Sequence, residues 1–433
     1  MRNNKKLHMK TALIITYYWP PAGGSGVQRW LKFVKYFRDF DVEPIVYTVD
    51  NPNYALEDES LLKDIPENLE ILKQPIWEPN NLFTFFGKNK NQSVGFLNPN
   101  PSFFGKLLQY IRANYFIPDA RKFWIKPSVN YLKKYLKENR VDVIITTGPP
   151  HSMHLIGLNL KKQLNIKWIA DFRDPWTEID YFHQLPLTKS AVKKHHSLET
   201  EVLRKADAVL VVGNTMKENY SKYNKNTLTI TNGFDGKISE SKIKLDAKFT
   251  ITHIGLMNAD RNPKMLWKVL AEIVNENEDF KADFELKLIG KVDTSVIKEI
   301  SNHKLTKNVK IINYVAHEQV VEFQKKSQVL LLIVNNVPSA KGILTGKIFE
   351  YLMAKRPILA IAPIDGDLAE ILSITNGGFV IDFKEKLELK KCILDLYSKF
   401  KTGHLMVDSK NIEQFHRREL TKKVSDIINS ITE

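Results

Sequence analysis

Residues 12–30 read ALIITYYWPPAGGSGVQRW: an apolar run passes through two prolines into a glycine-rich turn and then a helical pattern. A short strand that breaks at glycines and gives way to a helix is the opening unit of a parallel sheet wound with helices. Such turns also seat phosphates. Gly24 and Gly26 supply the turn, but Arg29 stands where G-x-G-x-x-G needs its third small residue, and no Gly-Lys-Ser/Thr follows. The dinucleotide and P-loop readings are therefore weak. What remains is a turn whose amides and helix start favour an anion, with Arg29 one turn in.

Outward from this unit the same grammar repeats. VQRWLKFVKYFRDF places Trp30, Leu31, Val34 and Phe37 on one helical face, and EPIVYTV, VDVIITTG, KWIADF and ADAVLVVG read as further strands. Residues 51–105, rich in Asn, Pro and Phe, break the alternation and read as a long excursion from the sheet. A second cycle begins near Phe249 with FTITHIG, FELKLIG, VKIINYV, VLLLIV and RPILAIA. The polar stretch Asp235 to Phe249 is the best linker candidate, and NIEQFHRRELTKKVSDIINSI near the end reads as an amphipathic helix. The fold class expected is α/β, with two doubly wound Rossmann-like domains facing across a cleft.

Length agrees, because 433 residues exceed one ordinary core. The lone Cys392 cannot form an internal disulfide, and no window approaches 18 uncharged apolar residues. A cytoplasmic protein without a membrane span is expected. The net charge of +15 invites a polyanion. Between Pro101 and Arg140 nine Lys/Arg and nine aromatics stand against two acidic residues. That mixture suits stacked single-stranded nucleic acid or an anionic lipid surface, and equally a helical region with buried rings and solvated lysines. We favour the anionic membrane surface for the window as a whole and expect no nucleic acid partner.

Four stretches carry chemistry. After the opening loop comes IADFRDPW, where Asp171, Arg173 and Asp174 stand at the carboxyl end of a strand, the end that faces ligands in such sheets. An Arg–Asp pair that merely shapes the loop is as good a reading for Arg173; for Asp171 we favour function. In HIGLMNADRNPK a strand ends at Gly255, and Arg261 precedes a helix that starts near Pro263, a placement suited to gripping phosphate. In ILTGKIFEYLMAKRP, Thr345, Gly346 and Lys347 precede a helix with Glu350 on its first turn. Free amides, the helix dipole and Lys347 suit a diphosphate, and Glu350 suits ribose hydroxyls; the rival reading is a capping interaction. His151 and His154 have no third ligand in view, and Asp365 and Asp367 read as a helix-start turn, so no metal is expected.

In their order and spacing YYWPPAGGSGVQR, TTGPPHSMHLIG, DFRDPW, ADAVLVV, TNGFD, HIG with Arg261, and TGKIFEYLMAKRPILAI resemble a bacterial glycosyltransferase of family 4. The resemblance implies a retaining enzyme of the GT-B fold whose co-substrate is a nucleotide sugar and which needs no cofactor. It implies an acceptor-binding domain over residues 1–240, completed by a C-terminal helix at about 410–433, and a donor-binding domain over 241–409. Carried over, Gly24 and Gly26 lie by the donor phosphates from the acceptor side, and Arg29, one turn in, is counted with them in the donor-binding set. Gly255, Arg261, Lys264, Thr345, Gly346 and Lys347 serve the diphosphate, and Glu350 the ribose. The family's glutamate eight positions before Glu350 is Gly342 here, and its lysine five after the arginine is Leu266, leaving Lys264 or Lys347 as the substitute. Where the family has an acceptor-side histidine this chain has DFRD, so Asp171 or Asp174 takes that place, with Arg173 between them. The implied acceptor is a lipid-linked or polymeric glycan of cell-surface polysaccharide assembly, handled at the inner face of the cytoplasmic membrane. The rivals are a non-catalytic basic membrane- or nucleic-acid-binding protein and a GT-B sugar-nucleotide epimerase.

Overall fold

The computed structural model describes residues 9–54, 56–78, 103–236, 243–313, 315 and 317–433. Residues 79–102 of the excursion and 237–242 of the expected linker lie outside them. The chain divides into two units, Met1–Thr231 with Arg417–Glu433, and Asn232–His416.

The first unit runs β1 (Lys10–Ile15), α1 (Ser25–Tyr36), β2 (Val42–Val49), β3 (Glu70–Gln74), α2 (Phe103–Tyr115), α3 (Lys122–Glu138), β4 (Val143–Gly148), α4 (Ser152–Leu164), β5 (Lys167–Phe172), α5 (Lys189–Lys205), β6 (Ala208–Val211), α6 (Asn214–Ser221) and β7 (Thr227–Thr229). Its seven strands are parallel in the order β3-β2-β1-β4-β5-β6-β7. The central strands are buried on both faces, which is why they read as unbroken apolar runs and not as alternation. β1 registers Leu13 against Ile45 of β2 and Ile14 against Ile145 of β4.

The second unit follows with β8 (Phe249–Ile254), α7 (Lys264–Glu276), α8 (Glu278–Asp283), β9 (Phe284–Ile289), α9 (Thr294–Asn302), β10 (Val309–Ile312), α10 (His317–Lys326), β11 (Val329–Ile333), α11 (Lys347–Met353), β12 (Ile358–Ile361), α12 (Asp367–Thr375), β13 (Gly378–Ile381) and α13 (Lys386–Lys401). Its parallel order is β10-β9-β8-β11-β12-β13. The chain then returns to the first unit as α14 (Arg417–Thr432), whose Leu420, Val424 and Ile428 join the buried cluster that holds Val27, Trp30 and Leu31 of α1.

Strand order reverses between β1 and β4 in one sheet and between β8 and β11 in the other. At such a switch point the helices leave opposite faces and open a crevice at the carboxyl ends of the two strands. Part of the excursion is sheet after all: Glu70–Gln74 forms β3, pairing Ile45 with Glu70. None of its five residues is buried, so the edge strand lacks the apolar run that marks its neighbours.

Candidate functional site

In the second unit β8 ends on Ile254 and the backbone turns through Gly255 at φ +117°, a conformation that L side chains rarely adopt. Space demands glycine as well. A Cβ there would stand 2.3 Å from Nζ of Lys347, so the lysine ammonium lies directly over the Gly255 backbone. Lys347 is held there by α11, which Tyr351 ties to the sheet by accepting a hydrogen bond from the Ile254 amide at 3.1 Å. Arg261 reaches the same place from the loop after β8. Its amide donates to Asn258 Oδ1 at 3.0 Å, its Nε to Asn335 Oδ1 at 2.7 Å, and its Nη1 to the Leu256 carbonyl at 3.3 Å. Asn335 lies just beyond β11, so groups at the ends of both switch-point strands fix this arginine.

Electrostatics shows how close the two cations are. Burial, then the Arg261 charge, pulls the Lys347 ammonium down to about 8, with Glu350 opposing. Among the described residues no carboxylate lies within ion-pair distance of Lys347. Lys347 over Gly255, with the Arg261 charge close enough to lower its pKa, is an arrangement suited to an anion with more than one charge. Beneath them His253 is 2% exposed and neutral, its pKa lowered to about 3 by burial and then by Lys347.

The structure thus gathers Gly255, Arg261, Lys347 and Glu350. Glu350 is half-buried on the first turn of α11 and accepts from Gln324 Nε2 at 3.3 Å. Thr345 Oγ1 meets the Lys347 amide only at 3.4 Å, and Gly346 is exposed with open space around its Cα. α11 has seven residues, so its dipole adds little to the side-chain charges. Lys264 is exposed at the start of α7, and no described contact joins it to the cation pair. Leu266 is fully buried in the core, so the position faces inward here and has no room for a lysine. Asn335 and Asn258, which hold Arg261, had no sequence signal beyond lying at strand ends.

The first unit corrects part of the expectation. Asp171 is 0% and Arg29 1% exposed, and they form a buried pair at 2.8 Å. Asp171 also accepts from Trp30 Nε1 at 2.7 Å and Thr147 Oγ1 at 2.9 Å, while Arg29 donates to the carbonyls of Ile230 at 2.8 Å and Thr231 at 2.9 Å. Both side chains are buried and committed to partners inside the unit, which gives Arg29 and Asp171 a structural role in place of the phosphate-facing and catalytic ones expected. Together they bolt α1 to β4, β5 and the end of β7. Arg173 is likewise occupied, donating to the Gly26 carbonyl at 2.6 Å and to that of Pro149. It pins the first turn of α1 to the loop after β4. Gly26 leaves room for it, since a Cβ there would stand 2.9 Å from Nη1 of Arg173. Gly24, at φ +85°, is the exposed bend before α1.

Asp174 is different. It is accessible past the carboxyl end of β5 and has no hydrogen-bond or ion-pair partner among the described residues, and loss of hydration raises its pKa against the nearby Arg173 charge. His151 and His154 are packing groups: their rings stack on Trp176 at 4.7 Å and on Phe172 at 4.2 Å, and burial lowers both pKa values, His154 to about 3. Asp119, unremarked in the sequence, accepts from the amide and hydroxyl of Ser152 at 2.9 and 2.8 Å and so caps α4 from a distant segment.

Comparison with known proteins decides the family. The sequence model described as Glycosyltransferase Family 4 matches residues 93–236, and the one described as Glycosyl transferases group 1 matches residues 248–399. The chain belongs to the family-4 glycosyltransferases. The match of the second model spans the Gly255–Arg261–Lys347 cluster of this glycosyltransferase. No curated protein matches it by sequence. Among solved structures it is similar to TarM (14% identity, TM-score 0.62, 98% of this chain and 100% of the other). It is also similar to the lipopolysaccharide outer core galactosyltransferase WaaB (15%, 0.59, 98% and 99%) and to WaaG, a glycosyltransferase involved in lipopolysaccharide biosynthesis (12%, 0.55, 96% and 99%). At such identities the likeness speaks for the fold, which is GT-B.

Proposed function

We propose that this glycosyltransferase moves a sugar, with retention at the anomeric carbon, from a nucleoside-diphosphate sugar to a lipid-linked or polysaccharide acceptor in cell-surface polysaccharide assembly, at the inner face of the cytoplasmic membrane. The observation that carries the reading is the Lys347–Arg261 pair over Gly255. As the glycosidic bond breaks, negative charge grows on the leaving diphosphate. Two cations already in place meet that charge without rearrangement, and they do so without a metal. Their mutual repulsion falls when the diphosphate arrives and falls further as the leaving group gains charge. Glu350, on the first turn of the same helix, is the group we assign to the donor ribose.

Asp174 is the acceptor-side group we assign to orienting the acceptor hydroxyl, because its carboxylate is exposed and uncommitted. Retention then follows front-face attack in which an oxygen of the donor phosphate takes the acceptor proton, and no covalent nucleophile or cofactor is invoked. Support of a second kind comes from a Staphylococcus aureus TarM variant captured with UDP, α-GlcNAc-glycerol and fondaparinux, and from the lipopolysaccharide roles of WaaB and WaaG. The test is a thermal-shift screen of uridine, guanosine and adenosine diphosphates and their sugars. One of them raises the melting temperature, and Arg261→Ala and Lys347→Ala each abolish the shift. Stabilisation by none of them would overturn the reading. Consumption of the sugar nucleotide with no acceptor present would favour an epimerase instead.

A further inference from the structure

α2 (Phe103–Tyr115) has no buried residue. Phe103 is 80%, Phe104 74% and Leu107 46% exposed. At about 100° per residue, Phe103, Phe104, Leu107, Leu108, Ile111 and Tyr115 fall on one face, and Lys106 and Arg112 flank that face on either side. Among the described residues nothing covers this stripe, and a helix without such cover lacks the main source of helical stability in a globular protein. Yet α2 is fastened to the unit by its far end: Asn114 donates to the Pro186 carbonyl at 2.8 Å and accepts from the Thr188 amide at 2.7 Å. The exposed stripe is therefore held in place and presented outward.

The apolar surface continues past the helix. Phe116 packs on Phe123 with ring centroids 5.8 Å apart, and Phe123 on Trp77 at 4.8 Å, with Trp77 itself 57% exposed. Lys122 lies over this cluster, 5.1 Å from the Phe123 centroid, and donates to the Tyr115 carbonyl. Lys194 of α5 is near enough to help lower the Lys122 pKa, after the loss of hydration. From Phe103 to Pro118 there is no acidic residue. Apolar side chains ringed by lysine and arginine, with a tryptophan at the margin, match the interfacial layer of a bilayer with anionic headgroups.

We propose that α2, with the Trp77–Phe123 cluster beside it, docks the protein on an anionic lipid surface, lying in the headgroup layer with its Phe103–Leu107–Leu108 face inward. The inference rests on the reading of an enzyme that works at a membrane face. Its test uses no sugar nucleotide, so its failure leaves the transferase reading standing. About 20 Å of amphipathic helix gives reversible binding that depends on headgroup charge and not irreversible insertion.

The experiment is flotation of the full chain with vesicles of phosphatidylcholine alone or mixed with phosphatidylglycerol, at low and high salt. The protein floats with the anionic vesicles at low salt and is released at high salt. Leu107→Asp with Leu108→Asp, and separately Lys106→Glu with Arg112→Glu, reduce the bound fraction at least about tenfold, with melting temperatures unchanged because α2 buries nothing. Wild-type protein that stays unbound, or a Leu107→Asp/Leu108→Asp variant that binds as before, would overturn the proposal. So would a wild-type dimer in light scattering that this variant turns into monomer, since the face would then belong to a second copy of the chain.

Discussion

Replacing Gly255 with alanine tests the cation pair while leaving both charges in the sequence. The new Cβ falls 2.3 Å from Lys347 Nζ and 2.7 Å from its Cε, where ordinary contact begins near 3.4 Å. The ammonium must therefore retreat by about 1 Å, the difference between 3.4 and 2.3 Å. A displacement of that size in a positioned group costs on the order of 10²-fold in function. A lost charge-assisted hydrogen bond costs about 1.5–3 kcal/mol, in the same range. The backbone at φ +117° adds about 1–3 kcal/mol of strain in the folded state. Melting should therefore fall by a few degrees, at roughly 2–4 °C per kcal/mol for a unit of this size. Nucleoside diphosphate affinity, measured by calorimetric titration, should fall about 10- to 100-fold. The two losses separate in a double-mutant cycle, because with Lys347→Ala already present Gly255→Ala should cost almost nothing further in affinity. Wild-type affinity in the single variant, or additive losses in the double, would show that the ammonium over Gly255 does not touch the ligand.

Above pH 8, where the diphosphate is already fully ionised, its binding should weaken by up to about tenfold per pH unit. An anion binds the protonated lysine, and Lys347 begins to lose its proton near 8. Lys347→Arg should flatten the profile in calorimetry at graded pH; an unchanged profile would assign the titration to another group. Asp171→Ala should lower stability by about 3–5 kcal/mol in urea unfolding, since it strands the buried Arg29 charge. Lost activity at unchanged stability would return Asp171 to a catalytic role. Asp174→Asn should leave melting and diphosphate affinity unchanged but slow transfer to an acceptor about 10²-fold or more, read from initial rates; equal rates would remove it from the site.

The parallel sheets were legible because burial on both faces writes a strand as an unbroken apolar run, and the glycines after β8 and β9 punctuated them. β3, β7 and β13 escaped for the opposite reason: an edge strand carries polar residues, and three or four residues make no pattern. Arg261 and Lys347 stood out as cations before helices. Their meeting depends on the pairing of β8 with β11, a long-range fact that local sequence does not contain. The same limit explains Asp171 and Arg29. A charged residue at a strand end reads the same whether it faces a crevice or the underside of a helix, and the partner that decides between them lies far off in the chain.

The return of α14 to the first unit sets the order in which the chain is completed during synthesis. The incoming and outgoing segments of the second unit run side by side, with the Phe234 amide donating to the Phe415 carbonyl at 3.1 Å, so that unit closes as one continuous stretch. The first unit has no such independence. Val27, Trp30 and Leu31 of α1 emerge early, but Leu420, Val424 and Ile428, which cover them, are translated only after the whole second unit. At about 5–20 residues per second, that apolar face waits on the order of tens of seconds on the ribosome for its cover. The later-born domain can thus close first, while the earlier-born one keeps an aggregation-prone flank open until α14 is made.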